Sequence, residues 1–142
     1  MRFWDTSALV PLIVAERGTG HAERWLREDP DVVVWTLTRV ELFSALARRR
    51  RAEPNAARRL LSARREILSA WEDWTEVTAV ERVRRHAERV VEGHPLRAGD
   101  ALQIAAAIVA AEDNPSGLDF VTFDASQAAA AEREGFHVLT VD

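Results

Sequence analysis

Two rhythms of apolar residues alternate along the chain. Short segments dominated by apolar residues occur at Arg2–Trp4, Asp31–Trp35 (DVVVW), Phe120–Phe123 (FVTF) and Phe136–Val141 (FHVLTV). Runs of this kind, rich in β-branched and aromatic residues and lacking a polar face, predict strands buried on both sides, as in a parallel sheet. Trp74–Thr78 predicts one more. Residues 18–28, 38–51, 56–72, 79–92, 98–112 and 125–134 instead place apolar side chains at helical spacing, as with Leu60, Leu61, Ile67, Leu68 and Trp71. Pro30, Pro54-Asn55, Gly93-His94-Pro95, Asn114-Pro115-Ser116-Gly117 and Gly135 punctuate the series. Strands alternating with helices predict an α/β fold around a parallel sheet, and the consecutive helices around Pro54 predict a helical hairpin inserted as a cap. With no repeat or linker, one domain is expected over residues 1–142.

Composition narrows the chemistry. At 47% apolar and 30% charged residues, the chain is expected to be ordered throughout. It has no Cys, which excludes disulfides, thiolate metal sites and cysteine nucleophiles and suits a reducing cytosol. All 19 basic residues are Arg, so Schiff-base chemistry, a phosphate-loop Lys and a Ser-Lys dyad are excluded. Asp5 interrupts the first apolar segment before a signal-peptide core forms, and the run Ile104–Ala111 is far shorter than the ~20 residues that span a bilayer. The expectation is a cytoplasmic protein with no membrane segment.

Asp5, Glu41, Asp100 and Asp124 are the candidates for chemistry. Each has a local explanation as an acid at a helix N-terminus. Thr38-Arg39-Val40-Glu41 matches a capping box, and Asp124-Ala125-Ser126-Gln127 has the same spacing. Topology adds a second explanation. In an open parallel sheet, ligands bind beyond the carboxyl ends of the strands, near the point where strand order reverses. Asp5 and Asp124 directly follow predicted strands, and Glu41 follows one by about a helical turn. Asp100 opens a helix, with Gly99 before it expected to permit close approach of another backbone. Gathered carboxylates raise one another's pKa unless a cation neutralises them. Mg²⁺, a hard ion, suits such oxygen ligands and activates water toward a phosphodiester.

These residues resemble the PIN-domain ribonucleases, and most closely the VapC-type toxins of toxin–antitoxin pairs. The matching segments are Phe3-Trp4-Asp5-Thr6-Ser7-Ala8-Leu9, Thr36-Leu37-Thr38-Arg39-Val40-Glu41-Leu42, Leu96-Arg97-Ala98-Gly99-Asp100-Ala101-Leu102 and Val121-Thr122-Phe123-Asp124. The resemblance spans essentially the whole chain. It implies a three-layer α/β/α fold with a central parallel sheet of four or five strands, and an Mg²⁺-dependent endoribonuclease, with Mn²⁺ as a substitute ion. Asp5, Glu41, Asp100 and Asp124 would hold the metal, with Ser7 and Thr122 as hydroxyl helpers behind them. It further implies a homodimer, a cognate antitoxin whose tail reaches the acids, and a structured RNA as substrate. Gln103 departs from the pattern, since relatives often carry His there. Asp119 is open between an outer ligand and a loop acid at the opposite strand end. The haloacid-dehalogenase-like phosphatases also begin with a strand-end Asp, but need a second Asp where this chain has Ser7.

Arg48, Arg49, Arg50 and Arg51, with Arg58, Arg59, Arg64 and Arg65 across the hairpin, suit either RNA phosphates or a solvated helix face beside Glu53 and Glu66. Arg39 is expected near the rim of the site. A net charge of −4 means that any nucleic-acid surface must be local. His21, His86, His94 and His137 show no ligand spacing, and Trp25, Trp35, Trp71 and Trp74 are read as core or dimer interface. The alternatives to a toxin are a PIN-like module that binds protein or RNA without cutting it, and a housekeeping metal-dependent nuclease.

Overall fold

The computed structural model describes residues 1–141. Five parallel strands are observed: β1 (Arg2–Trp4), β2 (Val32–Trp35), β3 (Thr75–Val77), β4 (Asp119–Val121) and β5 (His137–Leu139), in the order β3-β2-β1-β4-β5. Side chains alternate across the sheet, as the period of a strand requires. Phe3, Val33, Trp35 and Phe120 enter one hydrophobic cluster; Trp4, Val32, Val34 and Val121 enter the other. The sheet is thus covered on both faces and the fold has three layers.

One outer layer holds α1 (Thr6–Ile13), α2 (Thr19–Glu28), α3 (Thr38–Ala52) and α4 (Ala57–Trp71). The other holds α5 (Val80–Gly93), α6 (Ala98–Ala110) and α7 (Ala125–Arg133). The expected α3–α4 hairpin forms around a short turn at Pro54–Ala56, and Leu42, Ala45, Leu46, Leu60, Ala63, Ile67 and Trp71 bury its inner face. In α6, Ala105, Ala106 and Ala107 are wholly buried, and three side chains of one methyl group each let this helix lie close against its neighbours.

Helix α1 is the element that periodicity does not delimit. Its sequence TSALVPLI is apolar nearly all round, Ala8 to Pro11 are consecutively buried, and Pro11 lies inside it. Such a helix has no polar face to betray its period. Two expected strands are also shorter: Thr122 and Phe123 lie beyond β4, and β5 keeps only His137–Leu139. Trp25, Trp35 and Trp71 are core residues. Among the described residues, no helix is long and apolar enough to cross a membrane.

Candidate functional site

Parallel pairing sets the carboxyl ends of the strands along one edge, with Trp4 opposite Val121 and Trp35 opposite Val77. The chain builds β1, β2 and β3 outward in one direction, then crosses back to place β4 and β5 on the other side. The reversal lies between β1 and β4, where a doubly wound sheet opens its ligand crevice. Asp5 leaves β1 there, and Asp124 precedes α7 just after β4. Glu41 and Asp100 occupy the first turns of α3 and α6, one from each outer layer.

Asp5, Glu41 and Asp100 each feel the charge of another of the four acids. Asp124 raises the pKa of Asp5 and Asp100, and Asp100 raises that of Glu41. Burial is the larger cause in each case. Asp5 is completely buried and its carboxyl is pushed up to about 7, although the Ser7 and Thr122 hydroxyls pull the other way. Glu41 is raised against the pull of Gln103 and Thr6, and Asp100 against that of Arg97 and Gln127. Among the described residues, none of the four forms an ion pair.

The hydrogen bonds revise the capping explanation. Asp5 makes no side-chain cap to α1; its carboxylate accepts from Ser7 Oγ at 2.7 Å and from Gln127 Nε2 at 2.7 Å. The expected capping box at Thr38 and Glu41 does not form, because Thr38 is already inside α3 and its hydroxyl accepts from Gln103 Nε2 at 2.9 Å. Asp124 alone is a cap, accepting the Gln127 backbone N–H at 2.8 Å. Even there the return half is missing, since the Asp124 N–H donates to Thr122 Oγ1 at 3.0 Å. Gly99 meets no close backbone either, as a Cβ there would touch nothing within 4 Å.

Ser7 and Thr122 stand behind Asp5. Their hydroxyls are 3.2 Å apart, and Ser7 Oγ also accepts the Phe123 N–H at 2.8 Å. Two glutamines complete the arrangement. Gln103 Nε2 donates to Thr6 Oγ1, Thr38 Oγ1 and Glu41 Oε1 at 3.1, 2.9 and 3.0 Å, tying α1, α3 and α6 together. Gln127 Nε2 donates to Asp5 Oδ2 and, at 3.1 Å, to Asp100 Oδ1. Sequence reasoning missed Gln127. Its capping-box spacing was the only local signal, and that spacing points to Asp124 rather than to the acids its side chain touches.

Among the described residues, no three His, Asp or Glu side chains stand close enough to grip a metal unaided. The donors nonetheless fit Mg²⁺, which takes one or two carboxylates and keeps several waters. All are hard oxygens, and three of the four acids have pKa values raised by burial and by a neighbouring carboxylate, which a bound cation would oppose.

The remaining candidates divide. Ser7, Glu16, Arg48 and Arg49 line one groove, which runs from the rim to the start of the arginine run. Arg49 pairs with Glu16, while Arg48, Arg50 and Arg51 are exposed. Arg39 lies over Phe43 and Trp71, 5.8 and 5.9 Å from the ring centres, toward the hairpin rather than in contact with the acids. Asp119 sits at the opposite strand end with Arg2 and His137. His86 and His94 pair with Asp113 and Glu134, away from the four acids, and His21 packs beside Trp25.

The profile of the PIN domain matches residues 2–124. Among solved structures, a toxin–antitoxin complex from Klebsiella pneumoniae superposes with a TM-score of 0.68 at 16% identity, covering 99% of this chain and 97% of that one. VapC20 from Mycobacterium tuberculosis, described as a sarcin–ricin loop cleaving toxin, gives 0.65 at 22% identity over 96% of each chain. FitAcB from Neisseria gonorrhoeae gives 0.61 at 16% identity, over 100% and 97% of the two chains. At these identities the likeness is one of fold. No curated protein sequence matches the chain.

Proposed function

The chain belongs to the PIN-domain family, and on that premise we propose that it is a divalent-metal-dependent endoribonuclease, the toxin of a toxin–antitoxin pair. The observation that carries this reading is the convergence of Asp5, Glu41, Asp100 and Asp124 at the β1–β4 reversal with no basic side chain paired among them. The fold neighbours described as a toxin–antitoxin complex and as a toxin cleaving the sarcin–ricin loop support an antitoxin partner and an RNA substrate. Homodimerisation and a cytoplasmic location belong to the same proposal.

Asp5, Glu41, Asp100 and Asp124 would hold Mg²⁺, or Mn²⁺ in its place. The ion would supply positive charge and Lewis acidity to a scissile phosphodiester. The chain's own groups do the rest. Ser7 and Thr122 fix the orientation of Asp5, and Gln103 fixes Glu41 against α1 and α6. Arg48, exposed in the groove that begins at Ser7, would meet an RNA phosphate.

Cleavage of a structured RNA in Mg²⁺, followed on a denaturing gel, tests the proposal. Asp100→Asn changes one carboxylate to an amide of the same shape, and we expect it to fold as the wild type does and to lose at least about 100-fold in cleavage rate. Excess EDTA should have the same effect. Full cleavage by Asp100→Asn, or by the wild type in EDTA, would overturn the metal mechanism. The Gln127 amide between Asp5 and Asp100 favours one competing reading, a PIN module that neither takes up metal nor cuts RNA.

A further inference from the structure

Gln127 is 4% exposed, and both contacts of its amide nitrogen are carboxylate oxygens: Asp5 Oδ2 at 2.7 Å and Asp100 Oδ1 at 3.1 Å. A primary amide has two N–H donors, and here one nitrogen bridges two acids that come from different elements. The other end of the amide is less well served. Gln127 Oε1 is buried and has no hydrogen-bond partner, an uncommon condition for an interior acceptor. Gln103 repeats the pattern, with its nitrogen on Glu41 and its buried Oε1 also unpartnered. Both amides are therefore turned to put partial positive charge against the carboxylates, at the expense of their own oxygens.

Resting on the metal-nuclease reading above, we propose that Gln127 is a positioning residue that stands in for a divalent cation between Asp5 and Asp100. In the metal-free protein its N–H groups hold the two acids together. An arriving ion displaces them, so Gln127 sets the ion concentration at which the site loads. A cation placed there also removes the reason for the amide's orientation, and leaves its carbonyl free to find a partner.

The test is calorimetric titration with Mn²⁺ at pH 8.5, where Asp5 is ionised, on the wild type, Gln127→Leu, Gln127→Met and Asp100→Asn, with thermal unfolding in EDTA and in Mn²⁺. Gln127→Leu removes the hydrogen bonds that an arriving ion must break, and is expected to bind Mn²⁺ about tenfold more tightly. It should also melt lower than the wild type in EDTA and recover in Mn²⁺. Gln127→Met keeps the length of the side chain without its donors or an added charge, so tighter binding is expected there too, and it serves if the leucine variant does not fold. Unchanged or weaker binding in the variants, with the wild type loading normally and Asp100→Asn failing to load, would overturn the role of Gln127 and leave the nuclease reading standing. A flat wild-type titration, or one that Asp100→Asn does not alter, would overturn both.

Discussion

At the amino ends of the strands, Asp119 accepts from Arg2 Nε at 3.2 Å and faces His137 Nδ1 at 3.0 Å, while Asp29 meets the terminal amine, which holds its carboxyl below the ordinary range. At the carboxyl ends of the same strands, Asp5, Glu41 and Asp100 have hydroxyl and amide partners but no paired cation, and all three are raised. The sheet and the residue type are shared. Burial and counter-charge both differ: Asp119 and Asp29 are part-exposed and paired with cationic groups, whereas Asp5 is wholly buried, Glu41 and Asp100 are partly so, and among the described residues none of the three has an ion-pair partner. Acidity alone distinguishes nothing here; burial without a paired cation does.

The largest effect that bears on this contrast is the pH dependence of metal-free stability. Asp5, at about 7 when folded against an ordinary 3.8, keeps a proton that the unfolded chain has already released. Between those values its contribution to stability therefore falls as pH rises, by up to about 1.4 kcal/mol per unit, and levels off above about pH 7. From pH 5 to 7 ordinary carboxylates are already ionised. Urea unfolding in EDTA should show this decline in the wild type, and Asp5→Asn should lose most of it. Equal slopes in the two proteins would break the contrast.

A smaller effect is expected at the other end. Arg2→Ala removes the donors to Asp119 and to the Trp25 carbonyl, the latter at 2.7 Å, and should cost about 1–3 kcal/mol, equally with and without Mg²⁺. A loss of metal binding in this variant would show that the two ends are coupled. The smallest effect belongs to His137→Ala. Its pair with Asp119 is largely exposed, and chemical denaturation should register a change within about 0.5 kcal/mol.

Elements that meet water on one side, or that are apolar over a few residues only, were legible in the chain. DVVVW and FVTF read as strands because β-branched and aromatic residues crowd into four or five positions, and the α3–α4 hairpin read clearly because Leu60, Ile67 and Trp71 recur on one face of α4. Helix α1 was obscured by burial on all sides. The four acids were legible singly, from strand ends and from resemblance, but their local capping signals were misleading for Asp5 and for Thr38-Glu41. Gln127 was beyond reach for a more general reason. Its partners are 122 and 27 residues away, and nothing in its neighbourhood specifies a contact that only the folded β1–β4 junction creates.

The buried alanines of α6 extend this point to residues that carry no chemistry. Ala105, Ala106 and Ala107 decide how near α6 lies to its neighbours, and α6 carries Asp100 at its other end. A larger side chain at any of the three would force that layer outward and move one wall of the acid group without touching it. Measured as a target for mutation, the site is therefore larger than its acids, and much of its vulnerability lies in positions where the only admissible property is smallness.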